Sequence, residues 1–140
     1  MIAYFDTSAL VPLVVDEPGT PSAIALWTGA DRVVTVRLTQ VEAHAALAHA
    51  ARLGRLTRSQ HGATKSNLMR LLGSVDWIEV DPALMTSACE LAEQHALRAY
   101  DAVHLAAAER LGPRKVVVVA GDRAMLAAAR SRDLATAAIP

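Results

Sequence analysis

The chain has 140 residues, 53% of them hydrophobic and 20% charged, with 14 basic and 14 acidic side chains that cancel to a formal net charge of zero. That length and balance predict one globular domain over residues 1–140 with a real core, and they exclude disordered and fibrous classes. No apolar run reaches the ~18 residues of a membrane span, and no basic-flanked leader with a cleavage site is evident.

The single cysteine, Cys89, rules out an internal disulfide and fits a reducing cytoplasm. Its place near Ala88 and Ala92 in a helical pattern predicts a small buried hydrophobe. The charges are segregated. Between Ala43 and Val75 there is no acid, while Arg52, Arg55, Arg58, Lys65 and Arg70 are all basic. A solvated helix surface and a phosphate-binding face both fit that stretch.

In chain order, Ile2–Phe5 is a short apolar run ending in Asp6, and a helix is expected from about Ser8 to Val15, closed by Asp16-Glu17-Pro18-Gly19. Thr20-Pro21 reads as N-cap and N1 of a helix to about Thr28, with Ile24 and Trp27 on one side. Val33–Val36 is a strand. Thr39-Gln40-Val41-Glu42 has capping-box form and opens an alanine-rich helix to Leu53. A second box, Thr57-Arg58-Ser59-Gln60, opens a helix to about Leu72. Trp77–Val80 is a strand, and Asp81-Pro82 starts a helix to about Leu97, followed by a helix through Tyr100–Ala108 that Gly112-Pro113 stops. Val116–Val119 reads as a strand buried on both faces. A last helix covers Arg123–Arg132 and a weak strand Ala135–Ile139. Strands alternating with helices predict an α/β domain on a mainly parallel sheet.

Four acids occupy equivalent places in this pattern. Asp6 and Asp122 each follow a strand and precede a helix, while Glu42 and Asp101 sit in first turns of helices. Strand ends and the starts of the following helices share one edge of a parallel sheet, where ligands bind in such folds. Taken singly, Asp6 and Asp122 are ordinary N-caps, Glu42 the returning arm of its capping box, and Asp101 a helix-dipole partner. Taken together they need a counter-ion. Two carboxylates ~4 Å apart repel by roughly 1 kcal/mol in water and ~4 kcal/mol at an effective dielectric of 20. All-oxygen ligands select hard Mg²⁺ or Mn²⁺, which suits phosphodiester hydrolysis.

Phe5-Asp6-Thr7-Ser8-Ala9-Leu10, Glu42 near a helix start, Tyr100–Ala106 with Asp101, and Gly121-Asp122-Arg123 resemble the signatures of the PIN-domain family, in order and over nearly the whole chain. The length is similar to that of single-domain VapC-type toxins of bacterial toxin–antitoxin pairs. The resemblance implies a PIN-like domain with about five strands flanked by helices, and a Mg²⁺- or Mn²⁺-dependent ribonuclease. It also implies a homodimer and inhibition by a cognate antitoxin. Asp6, Glu42, Asp101 and Asp122 would hold metal and attacking water, with Ser8 supporting the site through its hydroxyl. Transfer RNA and ribosomal RNA are both open as substrates. The chain departs from the pattern at Ala120, where family members often carry Ser or Thr two residues before the last acid.

Other residues carry two readings. His104, one turn beyond Asp101, reads as a satisfied core histidine beside Val103 and Leu105 rather than a site residue. His44 and His49 are five apart, not the four that would set two zinc ligands on one helix face, and His49 shares a face with Glu42. Arg98 and Arg123 flank two of the acids and either clamp phosphates or pair with nearby carboxylates. The apolar positions Leu10, Val11, Leu13, Val14, Ile24 and Trp27 read as core, and by the resemblance partly as an antitoxin groove. An aspartate-nucleophile phosphatase wants an acid two residues after Asp6, where Ser8 stands. A receiver wants a lysine near the end of a late strand, and Lys115 precedes its strand. A catalytically inactive PIN-like binding module would lack some of the acids, and none is missing.

Overall fold

The computed structural model describes residues 1–140. Five strands, β1 (Ile2–Phe5), β2 (Arg32–Val36), β3 (Asp76–Ile78), β4 (Val116–Ala120) and β5 (Ala135–Ala138), form one sheet in the order β3-β2-β1-β4-β5. Every neighbouring pair is parallel. The helices are α1 (Thr7–Leu10), α2 (Thr20–Gly29), α3 (Leu38–Arg52), α4 (Arg58–Leu72), α5 (Pro82–His95), α6 (Ala99–Glu109) and α7 (Arg123–Ser131).

Side-chain alternation in the central strand β1 divides the interior into two cores. Tyr4 joins Val36, Leu105, Val118 and Met125 on the face covered by α5, α6 and α7. Ala3 and Phe5 join Leu10, Leu47, Leu68 and Leu72 on the face covered by α1 to α4. Phe5 meets Trp27 edge to face at 5.6 Å between centroids. β4 is buried along nearly its whole length, as its unbroken β-branched run predicts. From β1 the chain builds outward through β2 and β3, then returns to the other side for β4 and β5. The direction of build reverses between β1 and β4. Their carboxyl ends, carrying Asp6 and Asp122, therefore stand at the topological switch point.

Several boundaries differ from the sequence reading. The helix expected over Ser8–Val15 is one α-turn, Thr7–Leu10, followed by a 3₁₀ turn at Val11–Leu13. Pro12 has no amide to continue an α-helical ladder, and this accounts for the tightening. Gly19, not Thr20, is the N-cap of α2. The Thr20 hydroxyl instead donates to Pro12 O at 2.8 Å and accepts from Glu17 N, tying the loop together. The capping box at Thr57 is present with both of its bonds, but the one expected at Thr39 is absent. α3 begins at Leu38 with no side-chain cap, and Thr39 is buried against Thr35 at 2.7 Å. Cys89 is exposed rather than buried, because α5 turns Leu84, Ala88 and Leu91 inward instead.

Candidate active site

Asp6 ends β1, and its amide still donates to Val119 O at 3.1 Å, extending the ladder by one residue. Its side chain then caps α1. Oδ1 accepts from Ala9 N at 3.1 Å and from the Ser8 hydroxyl at 2.6 Å. The Ser8 hydroxyl in turn accepts from Gly121 N at 2.7 Å, joining the loop after β1 to the loop after β4. A Cβ at position 121 would lie 3.3 Å from Ser8 Oγ, so the glycine permits this approach. Ser8 therefore braces the site from the position where an aspartate-nucleophile phosphatase would need a second acid. Ala120 is fully buried in β4 and supplies no polar group of its own.

Asp122 caps α7, with Oδ1 accepting from Met125 N at 2.8 Å. Asp101, in the first turn of α6, is 9% exposed. Arg98 lies between these two acids. Its Nε donates to Asp101 Oδ2 at 2.9 Å and its terminal nitrogen to Asp122 Oδ2 at 3.1 Å. Arg98 is thus an ion-pair partner of two acids, and it also lines the cleft. Arg123 is exposed, off the cleft lining and outside every ion pair.

Glu42 does not return to the Thr39 amide. Because Thr39 is buried against β2, α3 starts early and places Glu42 toward the sheet edge. There Oε1 accepts from the Thr7 hydroxyl at 2.9 Å and lies 2.6 Å from His104 Nε2. His104 is a core histidine, 2% exposed, but its ring bridges the core and the site. Nδ1 is 2.8 Å from the Tyr4 hydroxyl. Burial, with the charges of Asp6 and Glu42 adding to it, holds the Tyr4 hydroxyl well above its ordinary pKa, so it remains a hydrogen-bond donor.

All four acids line one cleft of about 490 Å³, with Thr7, Ser8, Glu17, Arg98 and His104 also in its wall. Sequence reasoning missed Thr7, His104 as a site neighbour, and Glu17. For Glu17 the only signal was an acid in a turn, which gives no hint of where the turn folds back. His49 is exposed and off the cleft lining, although Ala46, one turn earlier on α3, is part of it.

Burial pushes the Asp6 carboxyl up to about 6, with the Asp101 charge adding. His104, the Ser8 hydroxyl and the Ala9 amide pull the other way. An acid 4% exposed at the foot of a cleft lined by further acids is poorly solvated as an anion. A bound cation would relieve that cost.

The donor set fits a hard divalent cation. Asp6 Oδ2, Glu42 Oε2 and Asp101 Oδ1 have no protein hydrogen-bond partner, while their sister oxygens are fixed. The acids ring an open cleft rather than closing a cage, since no three of them form a compact ligand group. Mg²⁺ characteristically uses few carboxylates and keeps several waters, which suits an open arrangement.

Acids delivered by four elements to the switch point of a parallel sheet, with hydroxyls and an arginine between them, define a hydrolase-type acidic cleft. The family follows from comparison: the PIN domain model matches residues 3–134, and the chain belongs to the PIN-domain family. Members of that family are generally dependent on a divalent metal. Ribonuclease VapC45 of Mycobacterium tuberculosis is 39% identical over 122 residues, covering 87% of this chain and 85% of that protein. Among solved structures, PAE2754 from Pyrobaculum aerophilum superposes with a TM-score of 0.73 at 26% identity, covering 97% of this chain and 83% of that one. A chain of VapBC2 from Rickettsia felis, solved bound to a DNA fragment from their promoter, has a TM-score of 0.67 at 14% identity, with both chains fully covered. That likeness is of fold alone.

Proposed function

We infer that the protein is a metal-dependent ribonuclease and the toxin of a VapC-type toxin–antitoxin pair. The observation that carries this reading is the convergence of Asp6, Glu42, Asp101 and Asp122 on one cleft of a PIN domain. The relationship to a named VapC ribonuclease supports the activity. Asp6, Glu42 and Asp101 each offer one free oxygen to Mg²⁺ or Mn²⁺, and Asp122 closes the fourth side. Such an ion supplies the charge that acidifies an attacking water and steadies the leaving oxygen. The chain's own part is positional. Ser8 and Ala9 N hold Asp6, Thr7 and His104 hold Glu42, and Arg98 stands where a phosphate oxygen would meet a cation. Water adds to phosphorus, the P–O bond to the leaving ribose oxygen breaks, and that oxygen leaves protonated.

RNA as substrate is also supported by the α3–α4 hairpin. Arg52, Arg55, Arg58, Lys65 and Arg70 are all exposed and none is ion-paired with an acid, whereas Arg32, Arg37, Arg98, Arg110 and Arg132 all are. A surplus of five positive charges without internal partners suits a polyanion. The antitoxin partner and homodimer follow from the family reading, in keeping with the fold's occurrence in a solved toxin–antitoxin complex from Klebsiella pneumoniae. No helix is long and apolar enough to cross a membrane, and a cytoplasmic setting is proposed with the RNA substrate.

The test is incubation of the purified protein with transfer RNA and ribosomal RNA in Mg²⁺ or Mn²⁺, followed by sequencing of the new ends. Discrete cleavage abolished by EDTA and by Asp101→Asn is expected. Cleavage undiminished by EDTA would overturn the metal mechanism.

A further inference from the structure

His104 reaches two partners of opposite kind, and this constrains where its proton lies. A neutral imidazole has one N–H donor and one bare acceptor nitrogen, assigned by the partners each nitrogen meets. Nε2 is 2.6 Å from Glu42 Oε1 and Nδ1 is 2.8 Å from Tyr4 Oη. An ionised carboxylate only accepts. Nε2 must then carry a proton, while the 2.8 Å contact between Nδ1 and the Tyr4 hydroxyl is a hydrogen bond that holds the ring from its other side. The other tautomer would turn a lone pair of Nε2 against an anion.

We propose that Tyr4 and His104 are positioning residues for Glu42: the Tyr4 hydroxyl holds the His104 ring in place through Nδ1, and the ring's Nε2–H, with the Thr7 hydroxyl, clamps Glu42 Oε1 and leaves Oε2 for a divalent cation. The proposal rests on the ribonuclease reading above and adds residues that the four acids do not include. The chain of bonds joins β1, α6 and α3, so it sets the spacing between elements that each deliver one acid.

Packing alone does not explain the tyrosine. Tyr4 is fully buried, and its hydroxyl lies 2.8 Å from His104 Nδ1, with the Thr35 side chain and the Val36 backbone also among its hydrogen-bond neighbours. A phenylalanine would fill nearly the same volume with no hydroxyl to satisfy, and Phe5 does so on the opposite face. The rings of Tyr4 and His104 meet edge to face, 6.0 Å apart at 76°, which holds the hydroxyl in line with Nδ1. The arrangement is the counterpart of an outer partner orienting a metal ligand, where losing the partner costs about 10–100-fold in affinity or activity.

The experiment compares wild type, Tyr4→Phe, His104→Gln and the double variant. In metal-free protein, the His104 ring ¹H–¹⁵N correlations should be single and sharp in wild type and broadened or multiple in Tyr4→Phe, where the ring has lost its Nδ1 partner. Calorimetric titration with Mn²⁺ should show an affinity about tenfold or more weaker for Tyr4→Phe, with kcat reduced and KM for RNA little changed. A glutamine amide can donate to Glu42 whatever Tyr4 does. His104→Gln should therefore retain more Mn²⁺ affinity than Tyr4→Phe, and adding Tyr4→Phe to it should change nothing further.

A Tyr4→Phe protein with wild-type His104 ring order and Mn²⁺ affinity overturns the proposal. So does an equal loss from Tyr4→Phe in both backgrounds that follows Tm, which would make the hydroxyl structural. Wild type that neither binds Mn²⁺ nor cleaves RNA overturns the ribonuclease reading instead.

Discussion

Asp6→Asn separates the capping role of Asp6 from its proposed role as a metal ligand, because the two rest on different atoms. Oδ1 caps α1 and receives the Ser8 hydroxyl, while Oδ2 has no partner. An asparagine keeps an Oδ1 acceptor for both bonds and replaces the charged Oδ2 with a neutral NH2 group. In the metal-free protein that charge is a burden, since burial lifts the carboxyl from 3.8 to about 6. A rise of about two units corresponds to roughly 3 kcal/mol of destabilisation once the group is ionised in both states.

The pH window follows from the direction of the shift. Below about pH 4 the folded and unfolded states both hold the proton, and the penalty is absent. Between about 4 and 6 the folded state keeps a proton the unfolded chain has released, so stability falls as pH rises. Above about 6 the penalty is complete. Asp6→Asn should therefore match wild type near pH 4 and exceed it at pH 7.5 by up to ~3 kcal/mol, or roughly 10 °C in Tm. The assay is urea and thermal unfolding in EDTA across that range, with RNA cleavage in Mn²⁺ measured in parallel. Cleavage should be lost. Asp6→Ala, which also removes the cap, should lie about 1 kcal/mol below Asp6→Asn. An Asp6→Asn protein less stable than wild type at pH 7.5, or one that still cleaves RNA at the wild-type rate, would refute the reasoning.

Three further outcomes follow from the same geometry. Ser8→Ala removes a donor to Asp6 and an acceptor for Gly121 N; unfolding should show a loss of about 1–2 kcal/mol, and cleavage should fall with it. Arg98→Ala leaves Asp101 and Asp122 without their shared cation. Because Arg98 is 73% exposed, metal-free stability should change by less than about 1 kcal/mol, but the Tm gain on adding Mn²⁺ should exceed that of wild type. Replacing Arg58 and Lys65 together by Gln should raise KM for RNA with kcat retained, and lower the slope of log binding against log salt by roughly 1.4 for single strands. An unchanged slope would mean that the hairpin does not meet the RNA.

The β-α order, the five strands and the four acids were legible because each rests on local signals: β-branched runs, capping residues, and an acid at each strand or helix boundary. What escaped depends on contacts distant in sequence. Thr39-Gln40-Val41-Glu42 matches a capping box in spacing, yet Thr39 is taken by Thr35 across the β2–α3 turn. That pairing is what frees Glu42 for the cleft. His104 sits between Val103 and Leu105 and reads as core, which it is. Its link to Glu42 spans 62 residues and its link to Tyr4 spans 100, so no local pattern carries either. Cys89 was misplaced because alanines on every side of α5 hide which face turns inward.

The capping role of Asp6 and its role in the cleft are complementary rather than competing. A helix N-terminus favours an anion, and a cap fixes one carboxylate oxygen against two donors. That anchoring leaves the other oxygen free and lets a 4%-exposed carboxylate stand at the foot of the cleft. Asp122 repeats the device through Met125 N, although Arg98 occupies its second oxygen. Asp101 also has one oxygen fixed by Arg98, and Glu42 has one fixed by Thr7 and His104. One oxygen held and one left free is thus the pattern at Asp6, Glu42 and Asp101. Asp122 is the exception: Arg98 occupies its second oxygen, so a cation binding there must displace Arg98, whereas Asp101 keeps a free oxygen beside its own bond to Arg98. Adding Asp122→Asn to Arg98→Ala isolates Asp122 from Asp101: if the extra Mn²⁺ gain in Tm of the Arg98→Ala protein survives Asp122→Asn, Asp122 lies outside the metal set.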